Sequence, residues 1–246
     1  MRHYVVISDL QIPYNDKTAT RNLAKFIAKY KPDDVLCVGD EADLHGLSRW
    51  AQGTPAEYER TLGDDRDEVV ETLYDLKVKH LVRSNHGDRL YNSIMKRGPN
   101  LLGAPELEYT RFFKHKEIGV TYHTTHYNIP ETNWVMCHGD ETPISPHAGQ
   151  SALNGARRRG KSVVSGHTHR LGISSFSEAS GGVLGRILTG FEVGHLMSER
   201  AAGYTRGVMN WQKGFGILYV NKGKVQPVPV YVEKDGSFIV EGKRFG

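Results

Sequence analysis

The sequence predicts an α/β protein, and three observations carry the prediction. Short apolar runs rich in β-branched residues alternate with segments of helical spacing. Each run empties into residues bearing carboxylate, amide or imidazole groups, the pattern of a sheet whose functional groups lie along the carboxyl edge of its strands. With 246 residues, 38% of them hydrophobic, the chain can bury a substantial core, and it reads as one domain spanning residues 1–246.

The elements follow in order. Residues 4–8 (YVVIS) read as a buried strand that delivers Asp9 and Gln11 at its end. Leu23, Phe26, Ile27 and Tyr30 give residues 18–30 a helical face, which stops before Pro32. A second strand, 35–38, closes on Gly39 and Asp40. Thr54, Pro55 and Glu57 combine an N-cap, a first-turn proline and a capping-box acid, so a helix is expected to begin there. Gly63 interrupts it before the pattern resumes through Val69, Val70, Leu73 and Leu76. A third strand, 79–82, opens into the polar loop 83–88, and residues 89–133 are less regular. Runs 134–137 and 162–164 repeat the strand theme, each leading into histidine. Residues 215–240 alternate like strands, with turns at 221–223 and 235–236. The glycine-rich stretch 181–207 reads as a mobile loop.

Composition narrows the classes of function. No stretch reaches the roughly 20 apolar residues that a membrane helix needs, and residues 1–8 do not resemble a signal peptide, so a soluble cytoplasmic protein is expected. Cys37 and Cys137, the only cysteines, lie inside apolar runs and read as core residues rather than a disulfide framework. A formal charge of +4 tolerates an anionic substrate but falls short of a dedicated nucleic-acid binder. Twelve histidines are many for this length, and their positions say more than their number.

Five polar clusters end five strand-like runs: Asp9 to Gln11, GDEAD at 39–43, SNHGD at 84–88, CHGD at 137–140 and GHTHR at 166–170. Together they offer carboxylates, two amides and four imidazoles, about what two divalent ions need: hard oxygen donors, a bridging carboxylate to offset like charge, and imidazoles. Two such ions about 3.5–4 Å apart lower the pKa of a shared water and clamp phosphate oxygens.

In these clusters the chain resembles the calcineurin-like metallophosphoesterase family, whose motifs run Asp-x-His, Gly-Asp-x-x-Asp, Asn-His, a lone His, and Gly-His-x-His. The resemblance spans Asp9 to His169. It implies two mixed β-sheets in a sandwich flanked by helices. It also implies Asp9, Asp40 and His169 on a first metal, with Asp40 bridging to a second held by Asn85, His138 and His167. His86 is implied to protonate the departing oxygen. The later spacing and the WQKGF segment at 211–215 look most like small phage-encoded members, which would place the protein in the host cytoplasm.

Two positions depart from the family pattern. Gln11 stands where the family has histidine, and its neutral carbonyl is a weaker ligand than imidazole. A looser first site is expected, left empty in the isolated protein or filled by manganese first among the candidates, with magnesium, iron, zinc or nickel as alternatives; otherwise Gln11 only hydrogen-bonds a metal-bound water. Gly87 stands where the family often has an acid after the catalytic histidine, which leaves Asp88, one place further on, as the carboxylate within reach of His86.

Other residues receive plainer readings. Asp43 is expected to hold the following backbone, Asp140 to shape its loop, and His45, His123, His126 and His147 to sit in loops or on the surface. Arg157, Arg158 and Arg159 with Lys161 suit a solvated helix end, and Arg170 is the better phosphate candidate. The expected substrate is a phosphodiester of a small nucleotide such as a cyclic nucleotide. A phosphomonoesterase and a nuclease are the competing enzymes, the nuclease with a channel drawing on residues 157–161, Tyr204 and Trp211. A non-catalytic scaffold of the same fold is the competitor from another class.

Overall fold

The computed structural model describes residues 1–198 and 209–246. Two mixed sheets lie face to face, and alternation along their strands sorts side chains into three apolar layers. The first sheet has the order β11-β10-β1-β2-β3-β4. Its strands are β1 (Arg2–Ile7), β2 (Asp34–Cys37), β3 (Val78–Val82), β4 (Thr121–His123), β10 (Gly214–Asn221) and β11 (Lys224–Tyr231). The second has the order β5-β6-β7-β9-β8, from β5 (Tyr127–Asn128), β6 (Trp134–Met136), β7 (Ser162–Ser165), β8 (Leu171–Ser180) and β9 (Val183–Val193).

Tyr4, Val6, Leu36 and Val38 of the first sheet meet Trp134, Met136, Val164 and Phe191 of the second in the layer between them. The alternate residues Val5, Ile7, Val35 and Cys37 point the other way, onto α1 (Lys17–Tyr30) and α2 (Leu62–Asp75). Val135, Cys137 and Val163 likewise turn out onto α6 (Gln150–Arg159). Both cysteines are therefore buried and unpaired, as core residues. The expected sandwich with outer helices is the observed one.

Helix α1 begins where Asp16 accepts hydrogen bonds from the backbone of Thr18 and Ala19, and it ends at Lys31 in the left-handed region, just before Pro32. The helix expected from Thr54 is a single 3-10 turn, Pro55–Glu57. Glu57 does not cap it; its carboxylate turns to the Gly53 amide at 2.8 Å and to Arg97. The capping box that starts α2 is Thr61 with Asp64, and Gly63 lies in the first turn of that helix rather than interrupting one. Within the irregular stretch, α3 (Asp88–Arg97) is a helix that sequence spacing did not show, and the single turns α4 (Tyr109–Phe112) and α5 (His115–Ile118) follow it.

The glycine-rich stretch contains a long strand instead of a loop. Gly181 and Gly182 make the turn of the β8/β9 hairpin, and β9 runs through Gly185 and Gly190. Gly190 is there because α6 crosses at backbone contact: a Cβ on it would lie 2.0 Å from the Leu153 amide nitrogen. Residues 199–208, which complete that stretch and include Tyr204, lie outside the described residues. Gly190→Ala must push α6 off the sheet, so it is expected to cost about 1–3 kcal/mol and lower the thermal midpoint; an unchanged midpoint in calorimetry refutes the close approach.

Candidate metal centre

Strands β1, β2 and β3 run parallel, as do β6 and β7, so their carboxyl ends share an edge. On it stand Asp9 and Gln11 after β1, Asp40 after β2, Asn85 and His86 after β3, His138 after β6, and His167 and His169 after β7. Five of these residues have left-handed backbones: Asp9 (φ 49°), Gln11 (46°), Asp40 (52°), His167 (67°) and His169 (57°). Each such residue costs of order 1–3 kcal/mol and persists only where its surroundings over-determine it. Here the loops hold one another. The Asp9 amide donates to the Gly39 carbonyl (3.1 Å), that of Gln11 to Asp40 (2.8 Å), and that of Gln212 to His169 (2.9 Å).

Donor atoms of Asp40, His138 and His167 all lie within 4.8 Å of one another. The Nδ1–H of His138 donates to the Val38 carbonyl at 2.8 Å, which directs Nε2 inward, 3.3 Å from Asp40 Oδ2 and 2.9 Å from Asn85 Oδ1. Beside this group, His169 Nε2 lies 3.1 Å from Asp9 Oδ1 and 3.0 Å from the side-chain amide nitrogen of Gln11. Asp9 Oδ2 accepts from the Ser8 hydroxyl and, at 3.0 Å, from the His167 amide. Its Oδ1 is fully buried without an aligned hydrogen bond despite the nearby imidazole. A buried carboxylate oxygen left in that state fits a cation ligand.

The electrostatics agree with that fit. Burial opposes charge on both Asp40 and His138, but their mutual attraction wins, holding Asp40 well below the usual carboxylate range and pushing His138 up to about 10. A cation between them would take the place of that proton. Burial and the neighbouring His138 charge push His167 down, leaving it neutral as a ligand must be.

The surroundings of His86 differ from expectation. Asp88 is bound to Arg83, which also reaches Asp140 at 2.6 Å, so it is engaged away from the imidazole. The carboxylate facing His86 is Asp43, whose Oδ2 lies 3.5 Å from Nδ1; among the described residues its carboxylate accepts from Arg89 and not from the following backbone, the support expected of it. Arg89 links the two, donating to Asp43 Oδ1 at 2.8 Å and to His86 Nε2 at 3.0 Å. The sequence could not show this because Arg89 and Asp43 meet only once α3 has formed. Arg170 keeps two guanidinium nitrogens, Nε and Nη1, buried without hydrogen bonds. Arg157 stacks on Phe176, Arg159 pairs with Glu141 and Lys161 bonds Asn128, in keeping with a helix end.

Sequence reasoning missed His195 and placed no role on Trp211 at the centre. His195 is buried, with its ring 5.4 Å from that of His169, and Trp211 packs edge-on to His169 at 4.2 Å. The Met197 amide donates to His195 Nδ1 and the Leu196 amide to the Asp9 carbonyl, so this segment braces the first half of the centre. Burial and the charge of His169 push His195 down to about 3. The signal was present, since Gly194 and His195 follow an apolar run as in the other clusters, but it lay inside the stretch read as a loop.

A family profile described as calcineurin-like phosphoesterase matches residues 2–171, which hold every ligand candidate above. The chain belongs to this family. The gene 54 protein of Mycobacterium phage D29 is 32% identical to this chain over 98% of it and 97% of its own length. The gene 54 protein of Mycobacterium phage L5 is 31% identical over 98% of each. These matches fit a phage-encoded phosphoesterase and extend past residue 171, across the His195 and Trp211 brace. The fold is shared with Vacuolar Protein Sorting 29 from Cryptosporidium parvum, at a TM-score of 0.50 and 18% identity over 99% of this chain and 94% of that one.

At this centre the backbone of Gly166 runs close against the Ser8 hydroxyl and the Asp9 carboxylate. A Cβ on Gly166 would lie 1.8 Å from Ser8 Oγ and 2.6 Å from Asp9 Oδ2. Gly166→Ala is therefore expected to part the loops and to lower bound metal, measured by elemental analysis on folded protein; full metal content would show that the loops separate without harm.

Proposed function

We propose that the chain is a dinuclear, divalent-metal-dependent phosphoesterase that prefers phosphodiesters of nucleotides. One observation carries the reading: the buried Asp40 carboxylate faces the imidazole of His138 and accepts the His86 amide at 3.2 Å, while its own carbonyl holds the Gln11 amide of the Asp9 loop. It thus stands between the two ligand groups. Asp9, Gln11, Asp40 and His169 would hold one ion, and Asp40, Asn85, His138 and His167 the other. When bound, such a pair supplies a lowered pKa for water and neutralisation of phosphate charge.

The chain's own residues do the rest. His86 stands beside the ligands with Nδ1 3.5 Å from Asp43 Oδ2, and as an imidazolium, protonated on both ring nitrogens, it would present the Nε2 proton to the departing oxygen. Arg89 occupies that nitrogen and must turn aside as substrate arrives. Arg170, whose Nε and Nη1 lack hydrogen bonds, would take a phosphate oxygen. Asp88 fixes Arg83 at the rim instead of touching the reacting groups. One domain serves for the whole, because strands near both ends of the sequence pair in the first sheet. No helix among the described residues is long and apolar enough to cross a membrane; with phage relatives, the host cytoplasm is the proposed setting. A cyclic nucleotide is the small-molecule diester to try first.

With manganese added, the protein is expected to hydrolyse a nitrophenyl diester faster than the monoester, and His86→Ala to lose about 10²–10⁴ in kcat while keeping its metal. Hydrolysis of neither ester would favour the scaffold reading. Gln11→His should tighten the first ion, read as a lower Kd in metal titration; an unchanged Kd removes ligand strength as the reason for manganese.

A further inference from the structure

Beyond His86 lies a cleft of about 400 Å³ that the metal centre does not use. One wall is α3, where Arg89, Asn92 and Lys96 share a face at helical spacing. The other is the segment after the 3-10 turn His45–Leu47, which brings Arg49 and Trp50. The lining contains Arg49, Arg89, Lys96 and Arg97 and no carboxylate. Two of these cations are matched elsewhere, Arg89 by Asp43 and Arg97 by Glu57. Among the described residues, Arg49 and Lys96 have no acidic partner. The mild net charge of +4 thus conceals a local concentration of positive charge.

Trp50 is 73% exposed, an unusual cost for the largest apolar side chain, and the Arg49 guanidinium lies over its ring at 4.6 Å. A flat aromatic platform flanked by unmatched cations is the arrangement that stacks an unpaired base while its phosphates are neutralised. The cleft adjoins the centre at Arg89, which lines it and also touches His86 Nε2 at 3.0 Å. Its volume falls within the usual range of about 300–1,000 Å³ for ligand pockets, enough for a nucleotide-sized group next to the bond being cut.

We infer that this cleft binds single-stranded nucleic acid, with a base on Trp50 and backbone phosphates on Arg49 and Lys96, making the substrate a polynucleotide rather than a free cyclic nucleotide. The inference deepens the proposed phosphodiesterase reading and rests on it for the bond that is cleaved, but not for binding. A duplex hides its base faces, and an acidic peptide offers charge without a surface to stack, so both should bind less well.

The test uses the intact, metal-free protein and fluorescein-labelled oligothymidylate of about 10 nucleotides, followed by anisotropy. Trp50→Ala is expected to raise Kd by roughly 5- to 150-fold, the range of one lost base stack. Arg49→Glu and Lys96→Glu should each flatten the plot of log affinity against log salt by about 0.7, one phosphate contact on a single strand. Lys224→Glu, an exposed charge on β11, controls for net charge, and thermal melting checks folding. Affinity insensitive to Trp50, or polyglutamate competing as well as the oligonucleotide, would overturn the cleft assignment. Nitrophenyl diester turnover with manganese separates the two readings: oligonucleotide binding without turnover keeps the cleft and removes the enzyme, whereas turnover without cleft-dependent binding does the reverse.

Discussion

Separate segments of chain meet at Asp9. Its amide donates to Gly39, its carbonyl accepts from Leu196, and its carboxylate receives the Ser8 hydroxyl and the amide of His167. These contacts fix the spacing between the loops after β1, β2 and β7 and the segment after β9. They also compensate the left-handed backbones at Asp9, Asp40 and His167. A carboxylate tied down on one oxygen and bare on the other is poised for a cation, and the geometry of the remaining ligands follows from where that oxygen points.

Around His86 the facing carboxylate comes from a distant segment of chain. With Gly87 in place of an acid, the carboxylate next along the sequence was the natural partner, yet Arg83 claims it. Asp43 faces the imidazole instead, and Arg89 completes the cluster. Gly87 has its own reason, because a Cβ there would lie 3.0 Å from the Tyr109 hydroxyl. That hydroxyl is bonded to Glu41, whose burial pushes it up to about 7. Loss of the acid and the tight packing behind the Asp40 loop are thus parts of one local solution.

The parallel strands and their terminal polar clusters were legible because alternation and abrupt polarity changes are local signals. So were the ligand candidates, each within two residues of a strand end or in the loop just beyond it. What escaped was long-range. Glu57 is a good capping acid by position, but tertiary partners take it, and α3 hides among residues whose apolar face is short. The glycines of β9 look like a loop until α6 is laid across Gly190. His195 shares the pattern of the other histidine clusters, but its neighbours obscured it.

The position of β1 within its sheet has a temporal consequence. The strand that leads to Asp9 lies between β2, made soon afterwards, and β10, made near the end. A nascent chain that has emerged only through residue 171 carries every candidate ligand yet lacks the antiparallel neighbour of β1 and the Trp211 packing on His169. Translation therefore delivers the ligands well before the residues that pair with β1 and brace His169, so the centre is complete only after β10 has been made.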